Sequence, residues 1–489
     1  MRNSLQGLLV LLTCSMLGFV LPGASPGSVS TRAPRNVVFI LSDDHRHDFM
    51  GFHPNAPDFL ETPNLDRMAA GGMHVRNAFV TTALCSPSRA SILTGQYSYR
   101  HGVVDNNRAL AEGTRFFPQD LQQAGYETAF FGKWHMGGES DDPRPGFDHW
   151  VSFRGQGEYF NPTLNVNGER APVEGYTADI LTDQALAWLG DRQGEAPFFL
   201  YLSHKSVHAE FEPAPRHRGR YDDATLRYPP TMANTEENYR GKPHWVRAQR
   251  YGWHGVEHMY HGTMDFDTFY RRYCETLLGL DDSVGRVLDH LEASGELENT
   301  LVVYMGDNGF SFGEHGLIDK RHAYEESMRV PMLAYAPGFI PAGTAIDQMV
   351  LNIDVAPTIL ELAGLRTPDR MQGRSFLPLL QGGDAADWRT EFVYQYFWEY
   401  NFPHTPTVYA LRGDRYKYMY YHGVWDQNEL YDLQTDPSEA FNLIDSPQHQ
   451  ELADVMKDRL FDALEAEDAV DVAFRRPQYG QQDQRKLHD

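Results

Sequence analysis

Four segments share one pattern, and that pattern restricts the fold more than any other feature of the chain. "NVVFILSDD" (36–44) is an apolar run that ends in carboxylates. "ETAFFGKWH" (127–135) ends in Lys133 and His135, and "PFFLYLSHKSVH" (197–208) ends in His204, Lys205 and His208. "LVVYMGDNG" (301–309) ends in Asp307 and Asn308. Near-continuous apolar runs of this length suit strands buried on both faces of a parallel sheet. Helical patterns alternate with them: "TPNLDRMAAGG", "FPQDLQQAGY", "YTADILTDQALAWLG", and a long stretch in which Phe266, Phe269, Tyr273, Leu277, Leu280, Val284, Val287 and Leu291 recur at helical steps before Gly295. The alternation predicts an α/β fold, with a large, mostly parallel sheet sandwiched by helices. In such sheets ligands bind beyond the carboxyl ends of the strands. All four runs deliver polar residues at that end.

The pattern changes near residues 384–388. "EFVYQYFWEY", "VYALRGDRYKYMYYH" and "NELYDL" read as short, half-buried aromatic strands, followed by the helical segment "HQELADVMKDRLFDALEAE". They predict a smaller C-terminal antiparallel α+β subdomain. The N-terminus carries Arg2, an apolar run from Leu8 to Leu21 and the small residues Gly23, Ala24 and Ser25, the layout of a cleaved signal peptide. Its apolar run is short for a membrane span, and Thr13 before Cys14 is bulky for a lipoprotein site. The expected divisions are therefore a signal peptide and linker (1–33), a main domain (34–385) and a C-terminal subdomain (386–489). The protein is expected to be exported, periplasmic or secreted, with no membrane span after cleavage. Its net charge of −24 argues against nucleic acid as a partner, and any anionic ligand must meet locally concentrated positive charge.

Asp43, Asp44, Asp307 and Asn308 form an oxygen-only set, which suits a hard cation such as calcium or magnesium and not zinc. Lys133, His135, His208 and Lys320 add cations and proton donors, as a pocket for a multiply charged oxyanion requires. Cys85 opens "CSPSRASILTG" (85–95) and is one of only three cysteines. Pro87 fits a first helical turn, and Gly95 a helix end. A helix N-terminus lowers a thiol pKa, so a thiolate nucleophile is one reading and a structural thiol the other. Cys274 reads as a small buried residue of a helix. Residues 210–262 read as a long insertion near the site mouth. Its Arg216, His217, Arg218, Arg220 and Arg227, with "FWEYNFPHTP", either contact sugar and anion or are a solvated loop and ordinary aromatic core.

"CSPSRASILTG" resembles the signature of the type I sulfatases, Cys-x-Pro-x-Arg before a small-residue helix and Thr-Gly. "ILSDDHR", "TPNLDRMAAGG", "GKWHMG", "DNGFSFGEHGLIDK" and "LYDLQTDPSEAFNL" also resemble family segments, in family order, over roughly residues 35–445. The resemblance implies an alkaline-phosphatase-like fold and hydrolysis of sulfate esters. It implies that a formylglycine-generating maturation enzyme converts Cys85 into formylglycine, the nucleophile. It further implies one calcium ion (Ca2+) on Asp43, Asp44, Asp307, Asn308 and residue 85, with Arg89 holding the hydrated aldehyde. Lys133 and Lys320 would bind sulfate oxygens, His135 would act as base, and His208, with His204 as its rival, would protonate the leaving oxygen. "PRPGFDHWVSFRGQGEYFNPTLNVNG" is similar to bacterial exported sulfatases grouped with glucosamine-6-sulfatases and mucin-desulfating enzymes. A sulfated carbohydrate is the expected substrate, 6-sulfated N-acetylglucosamine in particular. Algal polysaccharides such as ulvan or carrageenan, a phosphatase or phosphonate monoester hydrolase of the same superfold, and a non-catalytic glycan-binding relative are the alternatives.

Overall fold

The computed structural model describes residue 33 and residues 35–471, apart from 138, 139, 261–263, 384, 424 and 425. The expected signal peptide and Cys14 lie outside the described residues. In chain order the strands of the first half are β1 (Asn36–Ser42), β2 (Met73–Val75), β3 (Ala78–Phe79), β4 (Glu127–Lys133), β5 (His149–Phe153), β6 (Thr163–Val166), β7 (Glu169–Pro172) and β8 (Phe198–Ser203). The second half supplies β9 (Thr300–Gly306), β10 (Met332–Tyr335), β11 (Thr344–Ile346), β12 (Val350–Leu351), β13 (Glu391–Tyr396), β14 (Thr407–Gly413), β15 (Tyr416–His422) and β16 (Glu429–Asp432).

Ten strands form one sheet in the order β11-β2-β10-β9-β1-β8-β4-β5-β6-β7. The four runs of the sequence are its centre: β9, β1, β8 and β4 are adjacent and mutually parallel. Antiparallel pairs at β9–β10 and β5–β6 make the sheet mixed towards its edges. Alternate residues of β1 feed opposite cores, Val37, Phe39 and Leu41 on one face and Val38 and Ile40 on the other. Both faces are covered, so both must be apolar, and the strand reads as a continuous run.

The helices Pro63–Gly71, Thr177–Asp191 and Phe266–Ala293 cover one face. The longest of them is capped by Asp265, which accepts the Thr268 N–H at 2.9 Å, and it stops before Gly295 at φ +72°. Its apolar stripe, Cys274 included, is buried, and each large side chain there contributes about 1.5–3 kcal/mol relative to exposure. Among the described residues no helix is long and apolar enough to cross a membrane. The smaller sheet, β13-β14-β15-β16, is antiparallel throughout, and the helix Gln450–Ala466 packs on it. Its other face joins the core of the large sheet through Phe392, Tyr394, Tyr396 and Tyr431.

Candidate active site

Strand register assembles the site. β1 and β9 run parallel with Ser42 level with Gly306, so the next residues, Asp43 and Asp307, emerge side by side. Asp44 turns at φ 54°, and its N–H donates to Asp307 Oδ1 at 3.0 Å. Asp43, Asp44 and Asp307 each offer an oxygen within 4.8 Å of the others, all buried. Asn308 donates its Nδ2 to Asp44 Oδ1 at 2.7 Å and to the Gly309 carbonyl at 2.9 Å. That leaves Asn308 Oδ1 buried without a donor. Three carboxylates and one orphaned amide oxygen are the donor set of a hard divalent cation.

Cys85 is the first residue of the helix Cys85–Thr94, which ends at Gly95 with φ +67°. Its Sγ lies 3.4 Å from Asp43 Oδ1 and 3.0 Å from Lys320 Nζ. Burial, with the Asp43 carboxylate adding to it, pushes the thiol up to about 12 against the pull of Lys133 and Lys320. One turn on, Arg89 places Nε and Nη2 at 2.9 and 2.8 Å from Asp307 Oδ2. Its Nη1 donates to the Lys133 carbonyl at 2.8 Å and to Ser203 Oγ at 2.6 Å. The guanidinium thus ties together the ends of β4, β8 and β9. The end of β4 comes this close because Gly132 has no Cβ: at φ +113° one would stand 1.9 Å from the Ser203 carbonyl oxygen.

Lys133 is bonded to Asp43 and, at 2.5 Å, to Gln156 Oε1, while Lys320 is bonded to Asp44. Burial works against the Asp43 carboxylate, but the cations Lys133, Arg89 and Lys320 together hold it well below the usual range. Burial, and then the charge of Asp43, push Asp307 up to about 7 against the pull of Arg89. His208 Nε2 stands 3.9 Å from Asp44 Oδ2, with its side chain 13% exposed at the mouth. His135 adopts φ 61°, and its Nδ1 is 3.3 Å from Ser86 Oγ. Burial and the neighbouring lysines keep both imidazoles neutral.

The structure brings Asp43, Asp44, Cys85, Arg89, Lys133, His135, His208, Asp307, Asn308 and Lys320 together. It does not bring His204. That ring is fully buried, with Nε2 3.0 Å from Ser283 Oγ of the helix Phe266–Ala293, on the covered face of the sheet. Successive residues of a strand end point to opposite faces, which is why His204 and its neighbours diverge. Two residues at the site had no role in the sequence reading: Lys205, named there only as part of a strand end, and Gln156. Lys205 sits with its Nζ 4.6 Å from the Tyr159 ring centre, and burial, then Lys133, lower it to about 8. Its position at a strand end was the available signal; Gln156 had none.

Most of the basic insertion is engaged elsewhere. Arg216 pairs with Asp179 and Asp282, His217 with Asp282, Arg220 with Glu61 and Arg227 with Asp58. The "FWEYNFPHTP" segment borders the site: Glu399 accepts Arg321 Nε at 2.7 Å, and the Arg321 guanidinium lies 3.6 Å over Phe402.

Comparison with known proteins agrees with this geometry. Residues 35–365 match the family model described as Sulfatase, and residues 313–466 match one described as N-sulphoglucosamine sulphohydrolase, C-terminal. An N-acetylglucosamine-6-O-sulfatase of Bacteroides thetaiotaomicron is 33% identical over 86% of this chain and 84% of its own length. The N-acetylglucosamine-6-sulfatase of Homo sapiens is 33% identical over 76% of this chain and 68% of its own. A structure solved with its substrate D-glucosamine-2-N,6-O-disulfate superposes with a TM-score of 0.83 at 31% identity, over 90% of this chain and 99% of that one. With its cation set, its buried cysteine and these likenesses in hand, the chain belongs to the sulfatase family and is a sulfuric ester hydrolase.

Proposed function

We propose that this protein removes the 6-O-sulfate of N-acetylglucosamine or glucosamine units in a sulfated carbohydrate, using a formylglycine made from Cys85 and one calcium ion. The observation that carries the reading is the juxtaposition of Cys85 Sγ, 3.4 Å from Asp43 Oδ1, with the three clustered carboxylates and the orphaned Asn308 oxygen. The substrate class rests on the likeness, over 86% and 76% of this chain, to two N-acetylglucosamine-6-sulfatases. Cys85 is completely buried once the chain folds, so a maturation enzyme must reach it beforehand, on the unfolded chain. Export with the N-terminal segment as signal peptide belongs to the same reading.

Asp43, Asp44, Asp307, Asn308 and residue 85 would hold the calcium. The ion would draw charge from a sulfate oxygen, and the formylglycine hydrate would supply the hydroxyl that attacks sulfur. The remaining work falls to this chain's side chains. Arg89 fixes the strand ends and offsets carboxylate charge. Lys133 and Lys320 meet sulfate oxygens, because charge that grows on those oxygens is stabilised best by cations already in place. His135, with Nδ1 engaged by Ser86, accepts a proton at Nε2. His208, with Nδ1 engaged by the Ala209 carbonyl, holds the proton for the leaving sugar oxygen at Nε2. An arriving sulfate offsets Lys320 and Lys133, the cations that keep this imidazole neutral, and so favours its charged, acidic form.

The mass of the tryptic peptide Asn77–Arg89 from protein made in its native host tests the nucleophile. A loss matching conversion of thiol to aldehyde is expected. An unmodified thiol in active protein overturns the formylglycine mechanism. Sulfate release from 6-sulfated N-acetylglucosamine, set against ulvan and carrageenan fragments and an aryl phosphate, tests the substrate. Faster release from an algal fragment, or cleavage of phosphate alone, would replace this reading.

A further inference from the structure

Lys205 is the one buried lysine whose ammonium has no oxygen partner among the described residues. It is 6% exposed, and its Nζ faces the Tyr159 ring at 4.6 Å. The other buried lysines all donate to oxygen: Lys133 to Asp43 and Gln156, Lys320 to Asp44, Lys242 to the Glu439 carbonyl and Lys417 to Glu325. Burying a charge without a partner is unfavourable, so an ammonium left in this state calls for a partner that the chain does not supply.

The segment that carries Lys205 is fastened to the strand-end cluster. The Asp43 N–H donates to the Ser206 carbonyl at 2.9 Å, and the Val207 N–H donates to the Asp43 carbonyl at 2.7 Å. Tyr159, beneath the ammonium, donates its hydroxyl to the His208 carbonyl at 2.6 Å. Gln156, on the same loop as Tyr159, accepts Lys133 Nζ at 2.5 Å. Lys205 and Lys133 therefore both lie against one short loop, and burial and then the Lys133 charge work against the Lys205 ammonium. The Lys205 charge is also felt at His208, while Asp43, Asp44 and the exposed Glu212 favour it from a distance without forming an ion pair. Two buried ammoniums that oppose each other, one of them unpaired, mark a place for an anion. The Tyr159 ring offers only its quadrupole, a weaker partner than an anionic oxygen.

We propose that Lys205 donates to an oxygen of the substrate's sulfate group, beside Lys133, and is a further substrate-binding residue of the reaction. The inference rests on the reading above that Lys133 and Lys320 meet sulfate oxygens. The unfavourable burial of the free ammonium is then offset when sulfate arrives. The test uses matured enzyme, with conversion at residue 85 checked by peptide mass, and compares Lys205→Met with the parent and with Lys133→Met. In Lys205→Met, kcat/KM is expected to fall about 10-fold to 100-fold, the range of a charge-assisted hydrogen bond, and by the same factor on an aryl sulfate and on 6-sulfated N-acetylglucosamine. The inhibition constant of inorganic sulfate should rise by a similar factor. The unfolding temperature without sulfate should hold or rise, because an apolar side chain replaces an unpaired buried charge. Lys205→Gln gives the same readings where the Met variant does not fold. Sulfate inhibition unchanged in Lys205→Met but weakened in Lys133→Met overturns the inference alone. A loss confined to the sugar sulfate also overturns it, by placing Lys205 on the sugar. Sulfate inhibition unchanged in both variants overturns the sulfate placement on which the inference rests. Because the aryl sulfate and inorganic sulfate carry the test, a parent enzyme that leaves 6-sulfated N-acetylglucosamine intact overturns the sugar assignment and not the role of Lys205.

Discussion

The strand-end cluster and the network beneath the C-terminal sheet both bury many charges, and they resolve that burial in different ways. At the strand ends three carboxylates crowd together, Asp307 is pushed up to about 7, and an amide oxygen has no donor. Beneath the small sheet, Glu325 meets Arg412 and Lys417, and Glu439 meets Lys417 at 2.6 Å. Glu429 accepts the hydroxyls of Tyr324, Tyr421 and Tyr431, and Lys242 donates to the Tyr431 hydroxyl and the Glu439 carbonyl. Both clusters pair their acids with buried cations, the first through Lys133 on Asp43, Lys320 on Asp44 and Arg89 on Asp307. The first differs in bringing three carboxylate oxygens within 4.8 Å of one another beside a free amide acceptor, an arrangement that suits a ligand. Buried charge by itself does not mark function; like charges that converge on one point beside a free acceptor do.

The sharpest way to break the comparison is Cys85→Ala. Removing a nucleophile costs on the order of 10⁶-fold in kcat, with little effect on stability expected here because Cys85 contributes a small side chain. Measured sulfate release from an aryl sulfate together with thermal unfolding checks this. A variant that keeps activity, or loses it only by unfolding, puts the strand-end cluster in the structural class. Next comes His208→Ala. Loss of a general acid costs about 10²–10⁴-fold. The loss should be greatest on sugar sulfates, whose leaving groups are poor, and least on an activated aryl sulfate. Equal losses on both would remove His208 from the acid role.

The first cluster was legible in the sequence and the second was not, for a physical reason. Asp43, Asp44, Lys133, His208, Asp307 and Asn308 each follow an apolar run, so strand order and register suffice to gather them. The parallel centre of the sheet was legible for the same reason. Lys242, Glu325, Arg412, Lys417, Glu429 and Glu439 come from two loops, a short helix and three strands. Nothing periodic links them, and only tertiary packing makes them neighbours. The same limit explains the basic insertion, where Arg216 and Arg220 look alike as letters but find Asp179 and Glu61 across the surface. His204 was misplaced because a strand end shows which residues are polar but not which face each one takes.

Lys417→Met sharpens the comparison from the other side. Lys417 is fully buried between Glu325 and Glu439, and its loss leaves buried carboxylate charge uncompensated. Breaking such a pair costs about 3–5 kcal/mol. Urea unfolding should show that loss, with specific activity unchanged wherever the variant is folded. A variant as stable as the parent would mean that this network does not hold the small sheet in place.

His204 carries the comparison down to one residue. Its ring is buried against Ser283, and burial lowers its pKa to about 4, below the usual 6.5 of a free histidine. The unfolded chain therefore binds a proton between pH 6.5 and 4 that the folded chain refuses. Stability from this group is complete above pH 6.5 and is lost as pH falls towards 4, by up to about 3 kcal/mol. His204→Gln keeps a polar partner for Ser283 and removes the titration. Its unfolding free energy should fall less steeply than the parent's between pH 6.5 and 4, with kcat/KM on an aryl sulfate and on a sugar sulfate both retained. A parallel pH slope would show that His204 does not titrate as a buried neutral group. A selective loss on the sugar sulfate would move it into the chemistry beside His208, where its contact with Ser283 gives no reason to expect it.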